Sequence, residues 1–330
     1  TPRKHTALGR FKHEGAKVTI APDGRLAVYM GDDQRFEYIY KFVSKNRYQP
    51  GNRAANMRLL EEGTLYAARF NENGSGDWLA LVHGQNGLTA ANGFADQGEV
   101  LVKTRMAADL VGATKMDRPE WITADPFTAG SIYCTLTNNS QRGEAGKPAA
   151  DAANPRANNL FGHIIHWQEA DGDGTKLSFK WDILVLAGNK QAAKSEHKGN
   201  INGDDFGSPD GLAFDSRGVL WIQTDVSTST LNMKEYAGMG NNQMVATVLG
   251  SNEYRRFLTA PNGSEVTGIA FTPDNKTMFI NIQHPGEPSK GDSDPARPTA
   301  VSTWPDGAAA GRPRAATVVI TKNDGGVIGS

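Results

Sequence analysis

The sequence predicts an all-β protein of the β-propeller type, interrupted by loop insertions, and three observations lead there. Glycine (37) and proline (16) are frequent enough among 330 residues to join many short elements by tight turns. A strand–turn–strand unit recurs four times. Each unit opens on a carboxylate and closes on Asp, Asn or His.

The first unit runs from His13-Glu14 through Ala21-Pro-Asp23-Gly24 to Asp33. The second runs from Arg118-Pro-Glu120-Trp through Asp125 to Asn139, and the third from Ser208-Pro-Asp210-Gly through Asp215-Ser-Arg-Gly to Asp225. The fourth runs from Glu265 through Pro273-Asp-Asn to His284. Asp, Asn and Gly stand where a tight turn needs side-chain-to-backbone bonds or positive φ. The flanking segments alternate and are rich in Val, Ile, Phe, Trp and Tyr, as half-buried strands are. A hairpin repeated at irregular spacing reads as propeller blades separated by insertions. The polar, Ala- and Gly-rich stretches near 141–159, 189–205 and 296–314 are those insertions, and surface loops are expected there. Residues 1–330 then form a single propeller domain or the C-terminal part of one.

The spacing inside the units places the chemistry. Glu14 and Glu265 each stand nine residues before their turn aspartates, Asp23 and Asp274, while Glu120 and Asp210 each stand five before Asp125 and Asp215. The pairs Glu14/Asp33, Glu120/Asn139 and Glu265/His284 are all 19 residues apart, so the two members of each are expected side by side at one end of a hairpin. If the hairpins are inner strands of successive blades, these ends converge on one mouth of the central channel. Carboxylates crowded there repel one another unless a multivalent cation sits among them. The turn aspartates are assigned to turn structure.

Composition removes several classes. A formal net charge of −1 gives no bulk attraction to nucleic acid or an anionic membrane. No apolar run reaches the roughly 20 residues that span a bilayer. A single cysteine, Cys134, excludes an internal disulfide framework and, sitting mid-strand, reads as a small core residue. No nucleophile elbow, P-loop or dinucleotide fingerprint occurs. The chain opens at Thr1 without Met and without a visible signal peptide, which reads as the middle of a longer protein.

Taken together and in order, six stretches resemble PhoX-type alkaline phosphatases: Gly9-Arg-Phe-Lys-His-Glu14, Met30-Gly-Asp-Asp33 to Phe42, Arg118-Pro-Glu120-Trp, Thr135-Leu-Thr-Asn-Asn139, Phe206-Gly-Ser-Pro-Asp210-Gly-Leu and Asn281-Ile-Gln-His-Pro-Gly-Glu287. The resemblance runs nearly end to end of this chain and covers only the C-terminal portion of the family's length. It implies a six-bladed propeller, an iron and calcium cluster (Fe³⁺ and Ca²⁺) at the channel mouth, hydrolysis of phosphate monoesters, and export by the twin-arginine route to the periplasm or beyond. By position, Glu14 and Glu120 resemble iron or bridging ligands, Asp33 and Asp210 resemble calcium or shared ligands, and Arg118 resembles the phosphate-binding arginine. Glu265 joins them on its repeat position alone. The family's iron-binding cysteine would lie outside this chain, which makes the missing N-terminal segment a partner of the site. A monomer is expected.

The residue types suit that chemistry. Hard oxygen donors fit Ca²⁺ and Fe³⁺. A phosphate monoester is dianionic, so cations and an arginine fork must neutralise it before attack. Pro119 is expected to hold Arg118 and Glu120 on one side of an extended segment. His13 reads as packing, His284 as a ligand or a donor to one, and His163 and His166 as structural. Asp171-Gly-Asp-Gly reads as a hairpin turn, and Asp204-Asp205 as a solvated loop. Two other functions fit the same carboxylates. A calcium-dependent lactonase or esterase would need one Ca²⁺ and no phosphate-binding arginine, and a non-catalytic binding propeller, or an inactive fragment, would need no metal.

Overall fold

The computed structural model describes residues 2–251, 253–307 and 311–330. The chain divides into two compact units, Thr1–Asn158 with Ile165–Leu184, and Asn159–Ile164 with Val185–Ser330. Both are built mainly from antiparallel strands, as the sequence predicts.

The first unit is organised by a nine-stranded sheet. Its strands are β1 (His13–Ile20), β2 (Arg25–Asp32), β3 (Ile39–Arg47), β4 (Gly63–Phe70), β5 (Ser75–Ala80), β6 (Pro119–Ala124), β7 (Ser131–Leu136), β8 (His163–Glu169) and β9 (Ser178–Leu186). They follow the order β1-β2-β3-β4-β5-β9-β8-β7-β6. The two ends of the sheet return to each other. A Cβ on Gly31 of β2 would sit 2.5 Å from the carbonyl oxygens of both Pro119 and Glu120 on β6. Only glycine permits that approach, and it sets where Glu120 stands. Gly31→Ala is expected to cost about 1–3 kcal/mol of overpacking, read from the urea unfolding midpoint. A midpoint equal to wild type would contradict this packing.

β2 is buried on both faces. Tyr29 packs with Trp78, Ile122, Cys134 and Trp167, while Val28 and Met30 point the other way, onto Tyr40, Leu65 and Ala107. That alternation is the period of a strand expressed in two cores. The second core is roofed by two helices that lie outside the hairpin repeat, Gln97–Val102 and Thr104–Val111. Asp96 caps the first by accepting from Glu99 N–H at 2.9 Å, and Gly112 in left-handed backbone ends the second.

The second unit holds β10 (Asn202–Gly203), β11 (Pro209–Phe214), β12 (Val219–Thr224), β13 (Gln243–Val248) and β14 (Glu253–Thr259), in the order β10-β14-β13-β12-β11. A three-stranded sheet follows, of β15 (Glu265–Phe271), β16 (Thr277–Gln283) and β17 (Ala316–Thr321). Trp221, Met244, Val266, Met278 and Ile280 form its core.

All four expected hairpins form, as β1/β2, β6/β7, β11/β12 and β15/β16. Each opening strand also carries an irregularity at or near its carboxylate. The register shifts between Glu14 and Lys17, Pro119 and Ile122, Pro209 and Leu212, and Thr267 and Ile269. A bulge re-aims the side chains beside it, and bulges gather next to functional sites.

The insertion at 141–159 holds more buried polar side chains than its composition suggests. It is a loop with much of its length exposed, including 143–147, but it is anchored from within. Arg142, Asn154 and Asn159 are buried, and Arg142 Nε donates to Asp117 at 2.6 Å with both side chains fully enclosed. Polar composition misleads here because buried polar side chains such as Arg142 and Asn154 find hydrogen-bond partners in the fold. The stretch 189–205 contains β10 and a short 3-10 turn, Ser195–His197. Asp204 and Asp205 accept from the backbone N–H groups of Arg256 and Lys190. Residues 296–314 are largely exposed, and 308–310 of that stretch lie outside the described residues.

Candidate metal centre

In the first unit, Glu14 on β1, Asp33 just past β2, and Arg118 with Glu120 at the start of β6 come together. Glu14 and Glu120 each turn a carboxylate oxygen to within 4.8 Å of the other. Arg118 Nε donates to Asp33 at 2.7 Å, and its Nη2 donates to Asp33 at 3.1 Å and to Glu120 at 2.9 Å. Trp121, the next residue on β6, donates from Nε1 to Glu14 at 3.1 Å. Glu120 is 3% exposed, and Glu14 and Asp33 are half-buried.

The electrostatics follow from this crowding. Burial pushes the Glu14 carboxyl above its usual range, and the charge of Asp33 adds to the rise against the pull of Trp121 and Arg118. Asp33 shifts the other way. Its burial would raise it, but hydrogen bonds with Arg118 and Glu120 and the charges of Arg118 and Lys12 outweigh that cost. Three carboxylates face one guanidinium, an excess of two negative charges in a partly desolvated place. Such a donor set of hard oxygens fits a multivalent cation.

Two expectations need correction. Arg118 is not in an extended segment with Glu120. It precedes β6 with φ at +57°, and this left-handed step swings its guanidinium back over Asp33 and Glu120. Nor is Asp33 paired beside Glu14 in the ladder. His13 pairs with Asp32, Glu14 pairs with Gly31, and Asp33 N–H donates to Lys12 O, so the bulge displaces Asp33 toward the strand end. Asn139, which closes the second unit of the repeat, is buried and donates to Asp117 instead of facing the carboxylates.

The remaining candidates, Asp210 on β11 and Glu265 on β15, are in the second unit, both buried. Glu265 accepts from Gln283 Nε2 at 2.6 Å and lies 3.6 Å from His284 Nε2, so the expected closing pair does form there. Burial pushes Glu265 up, with the charge of Asp225 adding to it.

His13 stacks on Phe11, and His166 bridges Ser131 and Asp182. Cys134 is fully buried, its thiol pushed up by burial, and packs in the first core. Trp121 was not anticipated as a partner of Glu14, although it directly follows Glu120 in the motif. Among the described residues no helix is long and apolar enough to cross a membrane.

A family model described as alkaline phosphatase PhoX matches residues 1–286. Among solved structures, Pseudomonas fluorescens PhoX in complex with vanadate, a transition-state analogue, aligns over 100% of this chain at 47% identity with a TM-score of 0.90. The mostly-β, propeller-like fold expected from the hairpin repeat is the fold of that neighbour. The alignment covers 56% of that protein, so the present chain spans little more than half its length. A luciferin-regenerating enzyme aligns over 84% of this chain and 85% of its own at 12% identity, with a TM-score of 0.28 that bears on nothing. No curated protein matches.

Proposed function

The chain belongs to the PhoX family of alkaline phosphatases, and from that premise we propose that it carries the metal- and phosphate-binding face of a metal-dependent phosphomonoesterase. The observation that carries the reading is the group formed by Glu14, Asp33 and Glu120 around Arg118. The neighbour's complex with a transition-state analogue of phosphoryl transfer supports it.

Glu14, Asp33 and Glu120 are the proposed ligands from the first unit, joined by Asp210 and Glu265 on the strength of their repeat positions. The proposed metals are Fe³⁺ and Ca²⁺, matched to an all-oxygen donor set. When bound, they would supply Lewis-acid neutralisation of the incoming dianion. The protein's own part is positioning. Asp33 and Glu120 hold the Arg118 guanidinium through Nε and Nη2 and fix its plane, and the proposed role of that fixed cation is to neutralise phosphate oxygens. Trp121 fixes the Glu14 carboxylate. The proposed working compartment is the periplasm or the exterior.

Arg118→Ala is expected to weaken inhibition by free phosphate about 10- to 100-fold, the worth of one or two charge-assisted hydrogen bonds. Bound metal should be retained, and Arg118→Lys should recover part of the loss. Unchanged inhibition would contradict the role of Arg118, and turnover of a lactone but of no phosphate ester would favour the lactonase reading.

A further inference from the structure

Beside Arg118 the first unit opens a cleft of about 430 Å³, lined by Lys12, Asp33, Arg35, Phe36, Arg118 and Lys147 among others. Arg118 is already matched by Asp33 and Glu120, so Lys12, Arg35 and Lys147 supply the positive charge of the cleft, in a chain whose formal net charge is −1. Asp33 is already engaged by Arg118. The charge of Lys12 also reaches Asp33, and among the described residues Arg35 and Lys147 make no ion pair with a carboxylate within 4.0 Å. Like charges gathered in one concavity raise each other's energy and form a site for an anion.

The wall of this cleft is held in place. Phe36 has φ at +69°, costly for a bulky residue, and its N–H donates to Met116 O at 2.8 Å. The buried Arg142 guanidinium lies 5.4 Å from the Phe36 ring centre, and Lys147 Nζ lies 5.9 Å from it. Arg142 is anchored to Asp117, whose backbone bridges to Arg35. Arg35 therefore stands on a braced turn, next to the arginine assigned to phosphate.

We propose that this cleft receives the leaving-group side of the ester and selects organic bisphosphates. The inference rests on the phosphomonoesterase reading above. Arg118 takes the phosphate to be cleaved, and Lys12, Arg35 and Lys147 take the second, unreacted phosphate. In the reaction, water adds to phosphorus, the P–O bond to the organic group breaks, and the departing oxygen takes the proton. The products are orthophosphate and an organic monophosphate. The cleft's size is in the range that takes a small ligand. Lysine, a point charge on a flexible stem, suits a second phosphate held at varying reach, whereas the reacting phosphate meets a cation held fixed by its neighbours. Binding energy from a remote anion can then serve the reacting centre.

The test compares wild type with the Lys12→Ala/Lys147→Ala double variant. The quantity read is kcat/KM for 1,3-propanediol bisphosphate divided by kcat/KM for phenyl phosphate. Both lysines are exposed, so the fold should survive, which the unfolding midpoint checks. The ratio is expected to fall about tenfold in the variant, and the fall should shrink at high salt. An unchanged ratio overturns the proposal. Calorimetric titration with 1,3-propylenebisphosphonate and with propylphosphonate gives a readout independent of turnover. Tighter binding of the bisphosphonate by wild type, lost in the variant, supports the cleft even if neither ester is hydrolysed, in which case the phosphatase reading fails alone. Equal binding of the two by wild type overturns the cleft while leaving that reading standing.

Discussion

Glu120→Gln is expected to lower phosphate-ester turnover by about 10³-fold and to leave the purified protein short of metal. The replacement keeps the shape of a side chain that is 3% exposed and accepts a hydrogen bond from Arg118 at 2.9 Å. It removes the charge that the proposed cation site needs most, on the side chain whose oxygen faces Glu14 within 4.8 Å. Losing roughly 4 kcal/mol of charge stabilisation corresponds to about three powers of ten in rate. Elemental analysis alongside kcat checks both halves. A variant with full metal and near-normal turnover would show that Glu120 serves only to hold Arg118.

The second large effect is on stability and lies away from the site. Lys41 on β3 and Glu169 on β8 form an ion pair at 3.2 Å with both side chains fully enclosed. Glu169 also accepts from the Tyr29 hydroxyl at 3.0 Å and from the indole N–H of Trp78 and Trp167 at 3.1 and 3.3 Å. Burial pulls Lys41 down to about 8, still largely protonated at neutral pH, and pushes Glu169 up. Lys41→Met strands the carboxylate, and a loss of about 3–5 kcal/mol of unfolding free energy is expected. The double variant Lys41→Met/Glu169→Leu should recover much of it, because removing both charges leaves no unpaired group. Urea denaturation reads both values, and a single-variant loss under about 1 kcal/mol would contradict the pairing energetics.

The sequence was legible where physics is local. Turn residues at Asp23, Asp125, Asp215 and Asp274 and alternating strands around them specify the four hairpins, and all four form. The carboxylates at their starts were legible for the same reason. What escaped depends on contacts between distant segments. Arg142 and Asp117 are 25 residues apart and look like ordinary surface charges until the fold encloses them. The bulges that aim Glu14, Glu120 and Asp210 left only a glycine after Glu14 and Asp210 as a trace, and none after Glu120. The left-handed backbone of Arg118 left no mark, since nothing in Arg-Pro-Glu demands it. The helices Gln97–Val102 and Thr104–Val111 carry apolar residues at Val100, Leu101, Ala107, Ala108 and Val111, a helical spacing that does not share the period of the hairpin strands.

The most direct test of the central claim is elemental analysis of the native protein, followed by exhaustive dialysis against a chelator and measurement of both metal and phosphatase activity. Multivalent cations should be bound in stoichiometric amount, with hydrolysis lost as they leave and restored when they are returned. Protein that hydrolyses phosphate esters at full rate with no metal bound would contradict it.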